Sequence, residues 1–109
     1  MALREQSYLI LLALADGPLH GYGVIKTVRD LSEERVRLGA GTLYGALDRL
    51  SGDGLVSVVK EEVVAGRHRR YYDLTGHGRT VLAEETARLS RLAATAQHRL
   101  SLRPQWGTR

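Results

Sequence analysis

Apolar residues recur along the first half of the chain at spacings typical of three successive helices. Leu3 to Ala15 is apolar almost all round and predicts a buried helix, which Asp16-Gly17-Pro18 ends. Residues 21–34 predict a second helix, with apolar side chains on one face at Val24, Ile25, Val28 and Leu31. After a connection over residues 35–40 with some extended backbone, residues 41–53 predict a third helix that buries Leu43, Ala46, Leu47 and Leu50.

The pattern changes after Gly54. Residues 55–64 are rich in valine and predict a strand, Ala65-Gly66 predicts a turn, and residues 67–74 predict the returning strand. Thr75 can cap a last helix that runs to about Leu102. Three helices, a hairpin and a long helix are the chain order of a winged helix-turn-helix. We therefore expect a mostly helical α+β fold: a winged domain over residues 1–74, a dimerisation helix over 75–102 and a flexible tail over 103–109.

The composition of the chain limits the classes of molecule that it is expected to bind. The 109 residues have ordinary globular content, 43% apolar and 26% charged, but a net charge of +4. Residues 1–54 are close to balanced and residues 55–109 carry the excess, which favours an anionic partner such as nucleic acid. The absence of cysteine excludes disulfides, thiolate zinc sites and cysteine nucleophiles. The longest apolar run, Tyr8 to Ala15, is too short to span a membrane, so a cytoplasmic protein is expected.

Two segments carry the candidate chemistry. The hairpin turn is followed by a run of guanidinium groups and an imidazole, Arg67-His68-Arg69-Arg70, whose donors suit phosphate oxygens. Lys26, Arg67 and Arg69 are predicted to contact phosphate groups. The start of the third helix combines glycines with hydroxyl groups, which allows close approach to DNA. The residues predicted to face the groove are Thr42, Tyr44, Gly45 and Arg49.

Four motifs in order resemble the PadR family of bacterial transcriptional regulators. They span residues 17–23 (GPLHGYG), 38–50 (LGAGTLYGALDRL), 53–56 (DGLV) and 69–75 (RRYYDLT). The resemblance implies a winged-helix repressor that dimerises through its first and last helices. It also implies that Thr42 and Tyr44 contact DNA from the recognition helix, and that Arg67, His68 and Arg69 belong to the wing. The sequence departs from the family at Gly39-Ala40, where Ser-Pro is common.

The last helix carries an apolar stripe that a domain of this size cannot cover by itself. Such a stripe predicts packing against a partner helix, so a homodimer on a roughly palindromic site is expected. The residues assigned to it are Leu82, Leu89, Leu92, Ala96 and Leu100. Glu84 is placed to pair with Arg88 one helical turn away.

Two other readings compete with a DNA-binding repressor. Residues 36–38 followed by Gly39-x-Gly41-x-x-x-Gly45 imitate a dinucleotide-binding strand and turn, although Tyr44 interrupts the glycine pattern. A winged helix can also serve only as a protein-interaction module, but such a hairpin would not need three arginines.

No catalytic or metal-binding arrangement emerges from the sequence. The four histidines lack ligand spacing, so neither an enzyme nor a bound cofactor is expected. By resemblance, a small-molecule effector of unknown identity would bind near the dimer interface. Trp106 would lie in the flexible tail.

Overall fold

A computed structural model describes residues 3–102 of the chain. Within this range the elements follow the expected order, with one short strand added. They are α1 (Glu5–Ala13), β1 (Leu19–His20), α2 (Gly21–Leu31), α3 (Ala40–Gly52), β2 (Val56–Val64), β3 (Arg67–Leu74) and α4 (Gly76–Leu102). The fold is the predicted mostly helical α+β winged helix. The tail with Trp106 lies outside the described residues.

The core sits where the first three helices meet the base of the sheet and the start of α4. Its fully buried members are all aliphatic, as a close-packed interior of this size requires: Ile10, Leu11, Leu14, Val24, Val28, Leu43, Leu47 and Leu55. Tyr72 and Val81 bring β3 and α4 against the same cluster. The hydroxyl groups of Tyr8 and Thr86 lie 2.7 Å apart and join α1 to α4.

The wing is an antiparallel hairpin extended by a third strand. The sheet order is β1-β3-β2, with Leu19 opposite Tyr72 and His20 opposite Tyr71. The two turn residues both have positive φ, 52° at Ala65 and 78° at Gly66. Such a turn matches the natural twist of a hairpin, and glycine adopts its second position without strain. The register places Val64 opposite Arg67.

The second helix ends earlier than its hydrophobic pattern predicts. Its last residue is Leu31, and Glu33 and Glu34 follow with left-handed φ values of 55° and 71°. The Glu34 N–H donates to the Arg29 carbonyl at 2.8 Å, which closes the helix in a manner usually supplied by glycine. Leu31, placed by the pattern on the apolar face of this helix, is its last residue and is 45% exposed.

A close approach of backbones fixes the start of α4. The Thr75 hydroxyl accepts a hydrogen bond from the Gly78 N–H at 2.9 Å, which confirms the predicted cap. The Thr75 N–H donates to the Leu55 carbonyl at 3.0 Å. A Cβ on Gly78 would overlap that carbonyl oxygen and lie 2.8 Å from the carbonyl carbon, so this position requires glycine.

One ion pair with a buried carboxylate and one exposed cluster of charges lie on these elements. Glu85 of α4 is buried and accepts two hydrogen bonds from the Arg88 guanidinium, at 2.9 and 2.7 Å. Arg88 was predicted to pair with Glu84, but in the structure it pairs with Glu85. After α2, Glu34 accepts hydrogen bonds from Arg29 at 2.9 Å and from Arg37 at 3.0 Å. The hydrogen bonds from arginine lower the pKa of both Glu85 and Glu34.

The Gly78→Ala substitution is expected to lower the free energy of unfolding by about 3 kcal/mol, because α4 must move away from the Leu55 carbonyl. Gly76→Ala is the matched control: its Cβ would meet nothing within 4 Å, so its effect is expected to stay within about 0.5 kcal/mol. Urea unfolding followed by circular dichroism measures both. Equal midpoints for the two variants would contradict the close approach.

Acid is expected to destabilise the fold through the lowered carboxyl pKa values. A group whose pKa is lower in the folded protein stabilises it above the unfolded value, near 4.3 for Glu, and this contribution is lost as pH falls through the folded value. Urea midpoints between pH 6 and pH 3 should therefore decline, and Glu85→Gln should reduce the decline. Glu84→Gln, which removes a neighbouring carboxyl outside the ion pair, should leave it intact. An identical decline in E85Q and the unsubstituted protein would refute the role of Glu85.

Candidate nucleic-acid interface

The wing carries fewer free charges than its sequence indicates. The register places Glu61 opposite Arg70 and Glu62 opposite Arg69 across the hairpin. Glu61 lies 2.8 Å from His68 and 3.5 Å from Arg70. Two of the four basic side chains are therefore held on the sheet by one carboxylate.

Glu62 is occupied in a different way. It accepts a hydrogen bond from the Tyr71 hydroxyl at 2.8 Å and lies 3.3 Å from the Lys60 ammonium. The hydrogen bond from Tyr71 and then the one from Lys60 lower the pKa of the Glu62 carboxyl. Lys60 also lies 5.2 Å from the centre of the Tyr71 ring. Glu62 is thus fixed as an anion beside β3.

Arg67 and Arg69 are left as the wing's unpaired cations. Among residues 3–102, no carboxylate lies within 4.0 Å of either guanidinium. Arg67 is exposed at the turn, and Arg69 is half-buried two residues further along the same face of β3. Sequence reasoning missed the two glutamates as partners, although the two-residue turn fixes a register from which their pairing follows.

The third helix presents its predicted residues to solvent. Thr42, Tyr44 and Arg49 are exposed and Gly45 is half-buried, while the buried face is the predicted one. A Cβ on Gly41 or Gly45 would meet nothing within 4 Å, so no packing inside the chain requires glycine there. The outer surface of α3 is therefore low and open along its first two turns.

Tyr44 leans from α3 toward the start of α2. A Cβ on Gly21 would overlap the Tyr44 hydroxyl and lie 2.8 Å from its Cζ, so the ring rests on the bare Gly21 backbone. Tyr44 is still 46% exposed. Together with β3, these residues enclose a cleft of about 310 Å³ between α3 and the wing, lined by His20, Gly21, Tyr22, Tyr44 and residues 67–70.

Tyr22 belongs to this cleft and was not among the predicted contacts. It is 72% exposed, the second residue of α2, and lines the cleft opposite the wing arginines. Its signal in the sequence was an aromatic residue between two glycines just after a helix break. Lys26 lies one turn further along α2 and is exposed, but it does not line the cleft.

The other predicted residues of α3 face a second groove. Thr42, Gly45 and Arg49 line a groove of about 700 Å³ whose opposite wall is formed at the start of α1 by Leu3, Arg4, Gln6 and Ser7. The structure therefore brings Tyr44, Arg67, His68 and Arg69 together on one side of α3. It places Thr42 and Arg49 on the other side.

Of the residues of α4 that were predicted to form a dimer contact, one is buried within the chain and four are exposed. Leu82 is only 7% exposed and packs in the core of the chain itself, so its assignment to an intermolecular stripe is corrected. The first turns of α4 lie on the domain, and position 82 is within them. Leu92 and Leu100 are 57% and 76% exposed, and Leu89 and Ala96 are also exposed. These four residues remain candidates for contact with a partner.

Residues 3–102 contain neither a cluster suited to a metal ion nor a membrane-spanning helix. No group of three or more histidine, aspartate or glutamate side chains there is arranged to hold a metal ion. No helix in that range is long and apolar enough to cross a membrane. Residues 36–38 do not form the strand that a dinucleotide-binding unit would need, which removes the structural basis for that reading.

Comparison with known proteins identifies the family. Residues 10–84 match the transcriptional regulator PadR-like family. The transcriptional regulator Rv3488 of Mycobacterium tuberculosis is 42% identical over 84 residues, which cover 77% of this chain and 75% of that protein. An uncharacterized 37.1 kDa protein in transposon TN4556 of Streptomyces fradiae is 42% identical over 93 residues, covering 85% of this chain but only 25% of that protein.

Solved structures share the fold. A PadR family transcription regulator from Clostridium difficile R20291 superposes with a TM-score of 0.74 at 26% identity, over 89% of this chain and 99% of that one. Bacillus subtilis PadR in complex with operator DNA superposes with a TM-score of 0.68 at 21% identity, over 76% of this chain and 47% of that one. On the match over residues 10–84, the chain belongs to the PadR-like family of transcriptional regulators.

Proposed function

We propose that this chain regulates transcription as a homodimer that binds a specific, roughly palindromic double-stranded DNA site and represses the adjacent gene. The observation that carries the proposal is the pairing of an open recognition helix with a wing whose Arg67 and Arg69 are unpaired. Family membership and a solved relative bound to operator DNA support it.

The first step of binding is entry of α3 into the major groove. The groove is about 12 Å wide and admits one helix, provided that the outer face of the helix carries little bulk. Gly41 and Gly45 provide such a face, and Thr42 offers a hydroxyl that can donate to a base edge or a phosphate. Arg49 lies two turns after Thr42 on the same side of α3, where its guanidinium can donate paired hydrogen bonds to guanine or to a phosphate.

The wing then holds the neighbouring phosphate backbone. Arg67 and Arg69 lie beside Tyr44 and Tyr22 in one cleft, so cations and phenol hydroxyls converge on the same space. Guanidinium groups bind phosphate through paired hydrogen bonds, which adds geometry to charge. Lys26 adds a cation on α2, outside this cleft.

Dimerisation would come from the free part of α4. The helix has 27 residues, about 40 Å, and its buried residues within the described range lie between Gly78 and Glu85. Its exposed leucines would be covered by the same surface of a second copy, related by a two-fold axis. Two recognition helices would then reach half-sites about 34 Å apart, one turn of DNA, and a dimer seated there would obstruct transcription.

A small-molecule effector would find room near that interface. A cavity of about 390 Å³ lies between α1 and α4, lined by leucines and Tyr8 together with Glu5 and the Glu85–Arg88 pair. Such a cavity suits a small ligand with an apolar body and one polar group. A ligand there would alter the angle between α4 and the DNA-binding domain.

The wing assignment predicts that Arg67→Ala weakens binding to every duplex and lowers the slope of log affinity against log salt by about 0.9, the value for one lost phosphate contact. Arg35→Ala removes the same charge from a residue outside both grooves and should change neither quantity. Fluorescence anisotropy measures both variants on a duplex that the purified protein enriches from a randomised library.

Two outcomes of that experiment would contradict the proposal. Failure of the unsubstituted protein to enrich any duplex would refute DNA binding and favour the protein-interaction alternative. Enrichment followed by equal salt slopes for R67A and the unsubstituted protein would refute only the role of the wing.

The dimer predicts that Leu92→Arg gives a monomer that binds the enriched duplex at least tenfold more weakly, because a charge would lie within the apolar contact. Leu31→Arg, which also places arginine at an exposed leucine but on α2, should leave a dimer. Size-exclusion chromatography with light scattering gives the mass. A dimeric L92R protein would count against the α4 interface.

A further inference from the structure

We infer that the groove between α3 and the start of α1 is a second phosphate-binding site, which holds the DNA backbone on the side of α3 opposite the wing. The inference rests on the proposed DNA-binding function. It assigns a role to Arg4, Gln6 and Ser7, which precede every motif discussed above.

The groove lies on the side of α3 opposite the wing cleft. A helix in the major groove has one sugar-phosphate backbone on each side. On α3, Tyr44 lies on the flank that lines the wing cleft, whereas Thr42 and Arg49 line the opposite groove. The wing covers only the first flank, so a backbone on the second flank meets the start of α1.

Two arginines in the groove carry positive charge. Arg4 and Arg49 are exposed, and among residues 3–102 no carboxylate lies within 4.0 Å of either guanidinium. Asp53 lines the same groove four residues after Arg49, yet the two do not form an ion pair. Two free guanidinium groups at one concave surface make it attractive to an anion.

The placement of Arg4 is not explained by the stability of α1. Arg4 is the N-cap residue, and its side chain makes no capping hydrogen bond. A cation at this end of a helix opposes the helix dipole. The residue therefore weakens its own helix slightly, and a contact with an anion would offset this cost.

The walls of the groove also carry side chains that can donate hydrogen bonds. The side chains of Gln6, Ser7 and Thr42 make no hydrogen bond to another side chain or to backbone within the described range, so their donors are free for phosphate oxygens. The bare surface at Gly41 and Gly45 lets a backbone strand approach α3 closely. A groove of about 700 Å³ with polar walls is large enough for more than one phosphate group.

The test is Arg4→Ala, measured on the enriched duplex across a range of salt concentrations. We expect about a tenfold loss of affinity at low salt and a salt slope lower by about 0.9. Arg4→Lys keeps the charge and should recover most of the affinity. Arg35→Ala is again the control for the loss of one positive charge, and urea unfolding verifies that R4A is folded.

The double variant R4A/R67A separates the two sites. If each arginine binds its own phosphate, the salt slope should fall by about 1.8, and the losses of affinity should multiply. A double variant no weaker than R67A alone would overturn the inference, because it would show that the two arginines act at one place.

Other outcomes distinguish this inference from the function on which it rests. If the unsubstituted protein enriches no duplex, both fail. If it binds, and R4A changes affinity by less than twofold with an unchanged slope, only the α1 groove is refuted. If R4A is a monomer by light scattering, the groove is part of a protein interface and the inference is overturned.

Discussion

The first turn of α4 lies directly on the backbone that connects α3 to β2, and the geometry of the rest of the molecule follows from this contact. Gly78 leaves room for the Leu55 carbonyl, whose oxygen also accepts the Thr75 N–H at 3.0 Å. The Thr75 hydroxyl donates to the Gly54 carbonyl and accepts from Gly78. The helix α3, the wing and the long helix α4 therefore meet at one junction, around the backbone of Gly54 and Leu55.

Electrostatics at the interface depends on selective neutralisation more than on net charge. Glu61 and Glu62 occupy the strand opposite the arginines and fix His68, Arg70 and Tyr71. Among the described residues that line the two grooves beside α3, the cations with no carboxylate within 4.0 Å are Arg67 and Arg69 on the wing and Arg4 and Arg49 on the other side. Arg4 and Arg49 lie within residues 1–54, which carry no excess of basic side chains. The total of +4 thus indicates an anionic partner without locating the residues that would bind it.

The errors of the sequence reading have local causes. The end of α2 was placed too late because its signal is a pair of left-handed glutamates, a conformation that other residues adopt less often than glycine. The strand β1 was not predicted because two residues carry no periodicity, and only pairing with β3 defines it. Leu82 was assigned to an interface because heptad spacing alone does not tell an internal contact from an intermolecular one.

The sequence by itself determined the order and type of the main elements, the apolar face of α3, the Thr75 cap and the turn at Ala65-Gly66. These follow from spacing and local backbone preference, which act over a few residues. The tertiary structure decided which charges remain free, that Tyr44 and Thr42 face different grooves, and that Gly78 is needed for a close approach. Each of these depends on residues distant in sequence, and only packing specifies which surfaces meet.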